Sequence, residues 1–146
     1  DPALVAAAID LRRSSGADYA GYTPIRTFPD GLDVEVLSAT VLQAAPREAT
    51  DPLDREHVTR FVLRRPERFG IANLRSPRPL AAERWTVDTP EDLDRVRAIV
   101  ARLPEPLVAG WEQVLAVAGI TARPGEDAVQ PHVIADLAVG SLLHEA

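Results

Sequence analysis

Asp88 is the residue whose setting points most directly to chemistry. It lies in Arg84-Trp85-Thr86-Val87-Asp88-Thr89-Pro90-Glu91-Asp92-Leu93, which reads as a strand, a turn and a helix start. Trp85, Thr86 and Val87 are aromatic or β-branched, Thr89 is a helix N-cap, Pro90 suits the first helical position, and Asp92 completes a capping box. A carboxylate at the carboxyl end of a strand is placed to hold a metal ion that bridges phosphates; the plainer alternative is that Asp88 only starts the turn. Two more groups carry candidate chemistry. Leu32-Asp33-Val34-Glu35-Val36-Leu37 alternates strictly, so Asp33 and Glu35 share one face and either line a polar cleft or meet water. Asp54-Arg55-Glu56-His57 falls at the first turn of a helix, where free N–H groups and the helix dipole favour an anion and Arg55 and His57 add to the field. The competing reading is a solvated helix start with Glu56 in a capping role.

The elements that must position these residues alternate between helix and strand. A first helix is predicted from Pro2 to about Arg13, with Asp1 as its cap and Leu4, Val5, Ala8 and Ile9 on its apolar face. A short strand follows at 18–22. A proline-rated loop, Pro24 to Gly31, ends in an Asp-Gly turn that leads into the alternating strand. Ser38 caps a helix carrying Val41, Leu42 and Ala45. The next helix begins near Asp51-Pro52 or at Asp54 and presents Val58, Phe61 and Val62. Ile71-Ala72-Asn73-Leu74 reads as a strand, and residues 75–82 as a linker rich in proline and arginine. Leu93, Val96, Ile99, Val100 and Leu103 recur at helical spacing, so the helix after Thr89 is expected to pack on the sheet. Leu103-Pro104-Glu105-Pro106 is a break. Beyond it come a helix around Trp111 ending near Gly119, a polar loop from Thr121 to Pro131, and a last helix from His132 to about His144. This pattern is α/β, with residues 1–103 as the main unit and 104–146 as a helical extension.

Composition narrows the function classes. The chain has 146 residues and 46% hydrophobic content, enough for one packed domain and too much for disorder. A net charge of -6 gives no basic footprint for nucleic acid or an acidic membrane surface. The absence of cysteine excludes disulfides and a thiol nucleophile. No apolar run reaches the roughly 18–20 residues of a membrane helix, and a cytoplasmic protein is expected. All 16 basic residues are arginine and methionine is absent, which suggests a piece of a larger protein. The sequence contains no phosphate-binding glycine loop, no nucleophile elbow and no zinc-type spacing.

Three blocks in order, Arg26-Thr27-Phe28-Pro29-Asp30-Gly31-Leu32-Asp33-Val34-Glu35-Val36, Asp54-Arg55-Glu56-His57-Val58-Thr59 and Trp85-Thr86-Val87-Asp88-Thr89-Pro90-Glu91-Asp92-Leu93, resemble the cytidylyltransferase family of the spore coat polysaccharide biosynthesis protein F type. That family is related to the synthetases of CMP-activated acidic sugars. The likeness runs from Asp1 to about Leu103. It implies a nucleotide-diphospho-sugar transferase-like fold with a mostly parallel sheet, and transfer of CMP from CTP to a sugar or sugar acid, with pyrophosphate release and help from Mg. Asp88 matches the late acidic position that helps hold the metal. Arg26, Asp33, Glu35, Arg55, Glu56 and His57 match positions placed on the acceptor-sugar side, Arg26 or Arg55 pairing an anion and Glu35 or His57 serving the acceptor hydroxyl. The family's nucleotide-binding half would lie upstream of Asp1, so this chain alone is expected to bind CTP poorly. A homodimer fits the resemblance, as related synthetases dimerise through this half. Two other readings stay open: another sugar-nucleotide transferase of the same fold, and a non-catalytic binding or dimerisation fragment.

Overall fold

The computed structural model describes residues 1–120 and the backbone of residues 130–134. Helix α1 (Pro2–Ser15) begins where the Asp1 carboxylate accepts from the Ala3 N–H and Pro2 occupies the first turn, and it stops at Gly16, whose φ of 66° lies in the left-handed region. Strands β1 (Tyr19–Gly21), β2 (Glu35–Leu37), β3 (Ile71–Arg75) and β4 (Gln130–Ile134) form one sheet in the order β2-β1-β3-β4. Helices α2 (Ala39–Glu48), α3 (Pro52–Glu56) and α4 (Val58–Leu63) lie between β2 and β3 in the chain. Helices α5 (Pro90–Val100) and α6 (Trp111–Ala118) follow β3.

Strand alternation separates two apolar layers. Tyr19 and Ile71, partners across β1 and β3, belong to one layer, and their successors Ala20 and Ala72 to the other. The Tyr19 side is covered by Val41 and Ala45 of α2 and by Phe61 and Val62 of α4. The Ala20 side is covered by Leu4 and Leu11 of α1, by Trp111 and Leu115 of α6, and by Phe28 from the loop between β1 and β2. Phe28 stacks on Tyr22 at 4.6 Å and meets the Trp111 ring edge-on at 5.4 Å. Asp1 also accepts from the Trp111 N–H at 2.9 Å, so one carboxylate caps two helices 110 residues apart. The boundary expected near residue 103 thus falls between α5 and α6, and α6 packs into the same layer as α1.

Four expectations are corrected. The sheet is mixed, not mostly parallel: only β1 and β3 run parallel, while β1–β2 and β3–β4 are antiparallel. Parallel pairing needs a crossover, which α2–α4 supply between β1 and β3; β2 returns after a loop alone and so runs antiparallel. Trp85-Thr86-Val87 is not a strand. The chain there pairs through one isolated β-bridge, with Asp30 N–H donating to the Glu83 carbonyl at 2.8 Å and Trp85 N–H donating to the Asp30 carbonyl at 2.7 Å, while the Trp85 side chain packs against the core. Among the described residues no neighbouring strand pairs Thr86 and Val87, so β propensity has nothing to act on. Nor does α5 pack on the sheet. Leu93 and Val100 stay 37% and 43% exposed, and α5 leans on α6. At the carboxyl end, residues 130–134 form a strand where the last helix was expected to start; the rest of that helix lies outside the described residues.

Candidate functional site

Glu35 opens β2 beside the last residue of β1, because Gly21 is its partner across the strands. Its Oε1 accepts from the Tyr19 hydroxyl at 2.8 Å and from Thr23 Oγ1 at 3.1 Å, and the two hydroxyls lie 2.6 Å apart. Such closeness requires glycine at position 21: a Cβ there would lie 2.7 Å from both Tyr19 Oη and the Val34 carbonyl oxygen. Burial first, and the Glu35 charge second, push the Tyr19 hydroxyl far above its ordinary value, so it stays protonated and donates. Glu35 is an exposed carboxylate whose Oε1 is held and whose Oε2 has no hydrogen-bond donor among the described residues.

Three residues beyond Thr23, in the loop between β1 and β2, Arg26 forks onto Asp33 at 2.7 and 3.2 Å and reaches Asp30 at 3.2 Å. The hydrogen bond to Asp33 is the main cause that raises the guanidinium further above its ordinary value. Asn73 anchors this loop from inside the sheet. Its Oδ1 accepts from the Ile25 N–H and its Nδ2 donates to the Ile25 carbonyl, both at 3.1 Å, so a fully buried side chain imitates one step of strand pairing. A polar residue in the apolar run Ile71-Ala72-Asn73-Leu74 was the signal for this role. Nearby, the buried Tyr22 hydroxyl has no hydrogen-bond partner among the described residues, and burial, with the Asp33 charge next, pushes it well up.

The Asp30 bridge brings the third block alongside the first. Arg84 Nη2 donates to Asp88 at 2.7 Å and to Asp92 at 3.0 Å. Asp92 is the buried member: it also takes Arg95 and the N–H groups of Asp88 and Thr89 at 3.1 Å each, while Thr89 returns the capping bond. The hydrogen bond from Arg84 is the chief cause that holds the Asp92 carboxyl far below the usual carboxylate range. Asp88 itself is 66% exposed. Magnesium takes one or two protein carboxylates together with substrate phosphates. Among the described residues no three His, Asp or Glu side chains converge, Asp88 is matched to Arg84, and Asp92 is saturated. Of the two carboxylates, Asp88 is the exposed one that could offer an oxygen to a metal held jointly with substrate phosphates.

The second block stands apart. Arg55 turns its guanidinium onto the carbonyls of Pro46 and Ala49, both at 3.3 Å, and so closes the end of α2. Glu56 and His57 are exposed, and no hydrogen bond or ion pair links them to Arg26, Asp33, Glu35 or Asp88 among the described residues. Capping of α3 falls to Asp51, whose carboxylate accepts from Leu53 N–H, and not to Glu56. The residue of this block that the fold encloses is Asp54: its carboxylate is fully buried, with Arg60 at 2.7 Å, Arg65 at 3.1 Å and Arg64 at 3.7 Å. Its place inside Asp54-Arg55-Glu56-His57 gave no separate sign of that.

No protein-family model and no curated protein matches this sequence. Among solved structures, the fold is similar to that of a cytidylyltransferase from Leptospira borgpetersenii serovar Hardjo-bovis (strain JB197). The TM-score is 0.73 at 20% identity, over 82% of this chain and 51% of that one. The chain has a cytidylyltransferase-like fold. It spans about half the length of that structure, and at this identity the likeness speaks for fold alone. No helix among the described residues is long and apolar enough to cross a membrane.

Proposed function

We propose that this chain forms the acceptor-binding part of a nucleotidyltransferase that moves CMP from CTP onto a hydroxyl of a sugar or sugar acid. The observation that supports the reading is the held carboxylate of Glu35 beside the Arg26–Asp33 fork, on a fold shared with a cytidylyltransferase. In this reading the acceptor oxygen attacks the α-phosphorus as its proton passes to Glu35. The bond from that phosphorus to the bridging oxygen breaks, and pyrophosphate leaves with the electron pair. Tyr19 and Thr23 orient Glu35, while Arg26, held in place by Asp33, offers its remaining donors to an acceptor carboxylate. Arg55, Glu56 and His57 have no step in this scheme; if His57 or Glu56 serves the acceptor, the approach must come from the side of α3. No step runs through magnesium, for which Asp88 supplies one carboxylate at most.

The experiment is a pyrophosphate-release assay with CTP and a panel of neutral and acidic sugars. It uses a form of the protein that includes the nucleotide-binding half the resemblance places upstream of Asp1. Release that depends on the acceptor, and a drop in kcat of about 10²–10⁴ in Glu35→Gln, is the expected outcome. Unchanged kinetics in Glu35→Gln would remove Glu35 from the chemistry, and release from no acceptor would sink the transferase reading.

A further inference from the structure

A cleft of about 260 Å³ opens between α5, α6 and the 83–85 segment, and its lining is unusual in its balance of donors and acceptors. Arg84, Arg95 and Arg102 line it, against Glu83 as the one acidic side chain. An arginine carries five N–H donors and no acceptor. Both carboxylate contacts of Arg84 pass through Nη2, and so does the contact of Arg95 with Asp92. The remaining donors of these two residues, and all those of the Arg102 side chain, have no protein acceptor among the described residues. The rest of the lining is apolar, with the half-buried Trp85 and Ile99 beside Ala98.

We propose that this cleft binds a small organic anion: a phosphate or carboxylate group on the guanidinium donors, and an attached flat ring against Trp85 and Ile99. Guanidinium forks match the geometry of such oxyanions, and an aromatic wall favours a planar partner over a hydrated ion. Asp92 fixes the arrangement from beneath, because it holds Arg84 and Arg95 on one carboxylate and so sets the spacing of their unpaired donors. The proposal stands apart from the reading of Glu35 and does not need it.

The test is calorimetric titration of the 146-residue chain with phenyl phosphate, benzoate, inorganic phosphate and benzyl alcohol. Saturable binding of phenyl phosphate or benzoate is expected, about tenfold or more tighter than inorganic phosphate, with none for benzyl alcohol. The tighter of the two ring compounds names the oxyanion. Arg102→Ala should weaken it about tenfold, and Ala98→Glu, which sets a carboxylate on the rim, should abolish it. Both positions are exposed, so circular dichroism should match the parent. No saturable binding of either ring compound overturns the proposal, as does equal affinity for inorganic phosphate. Binding that ignores both substitutions places the anion elsewhere and overturns it as well.

Discussion

Raising the pH should unfold this protein through its two tyrosines, which are its only tyrosines. Tyr19 and Tyr22 are both fully buried; burial is the main cause that pushes both hydroxyls up, a nearby acid (Glu35 or Asp33) adds to each, and the Arg26 charge lowers Tyr22. In the unfolded chain a tyrosine loses its proton near pH 10. Above that value the unfolded state binds fewer protons than the folded one, so stability falls as pH rises. The slope is about 1.4 kcal/mol per pH unit for each tyrosine still protonated in the fold, or about 2 kcal/mol from Tyr19 by roughly pH 11.5. Tyr22 is raised less, because Arg26 beside it favours the ionised form, so its contribution levels off at a lower pH than that of Tyr19. Against a typical domain stability of about 5–15 kcal/mol this is a large fraction. The assay is urea unfolding at a series of alkaline pH values, with tyrosinate absorbance and near-ultraviolet circular dichroism read together. Ionisation should coincide with loss of tertiary signal, and the urea midpoint should fall steadily above about pH 10. Tyr22→Phe removes a hydroxyl without a partner, so it should cost about 0.5 kcal/mol or less at neutral pH and leave Tyr19 as the single reporter. Two tyrosines that ionise near pH 10 in a protein whose tertiary signal is intact would refute the reasoning.

Three further outcomes follow from particular contacts. Asp54→Asn takes the charge from among Arg60, Arg64 and Arg65; because those arginines are about a third exposed and can rehydrate, the loss should be about 3 kcal/mol in chemical unfolding, and a loss below about 0.5 would show that the cluster is held otherwise. Gly21→Ala should cost about 1–3 kcal/mol and weaken the β1–β2 pairing, since its Cβ has no room between Tyr19 Oη and the Val34 carbonyl; hydrogen exchange at Gly21 and Glu35 checks it. The Asp92 carboxyl is depressed in the fold, so its contribution is present above its ordinary value near 3.8 and is lost as pH falls below that. Asp92→Asn should therefore lower stability at neutral pH and flatten the acid limb of the stability profile, and an unchanged acid limb would count against the Arg84 contact.

Local chemistry was readable from the chain. Asp1-Pro2, Ser38 and Thr89-Pro90 cap the helices they were read to cap, Asp51 rather than Asp54 caps α3, and Gly16 and Gly119 end two helices in the left-handed region. Each of these signals acts within four or five residues, where side-chain type alone decides which N–H is satisfied. The alternation from Leu32 to Leu37 also held: Leu32 and Val34 join one apolar layer and Leu37 the other. What tertiary structure decided was pairing at a distance. Trp85-Thr86-Val87 has the composition of a strand, but among the described residues the ladder beside it stops at the single Asp30–Arg84 bridge. Arg26 and Glu35 acquire their settings from Asp33, Asp30, Tyr19 and Thr23, and through Asn73 from β3, 48 residues from Ile25. Asp54 and Arg55 share one charged turn, yet the fold buries the first under three arginines and spends the second on the end of α2. A sequence shows which groups can bond; which acid meets which arginine depends on where the sheet sets their backbones.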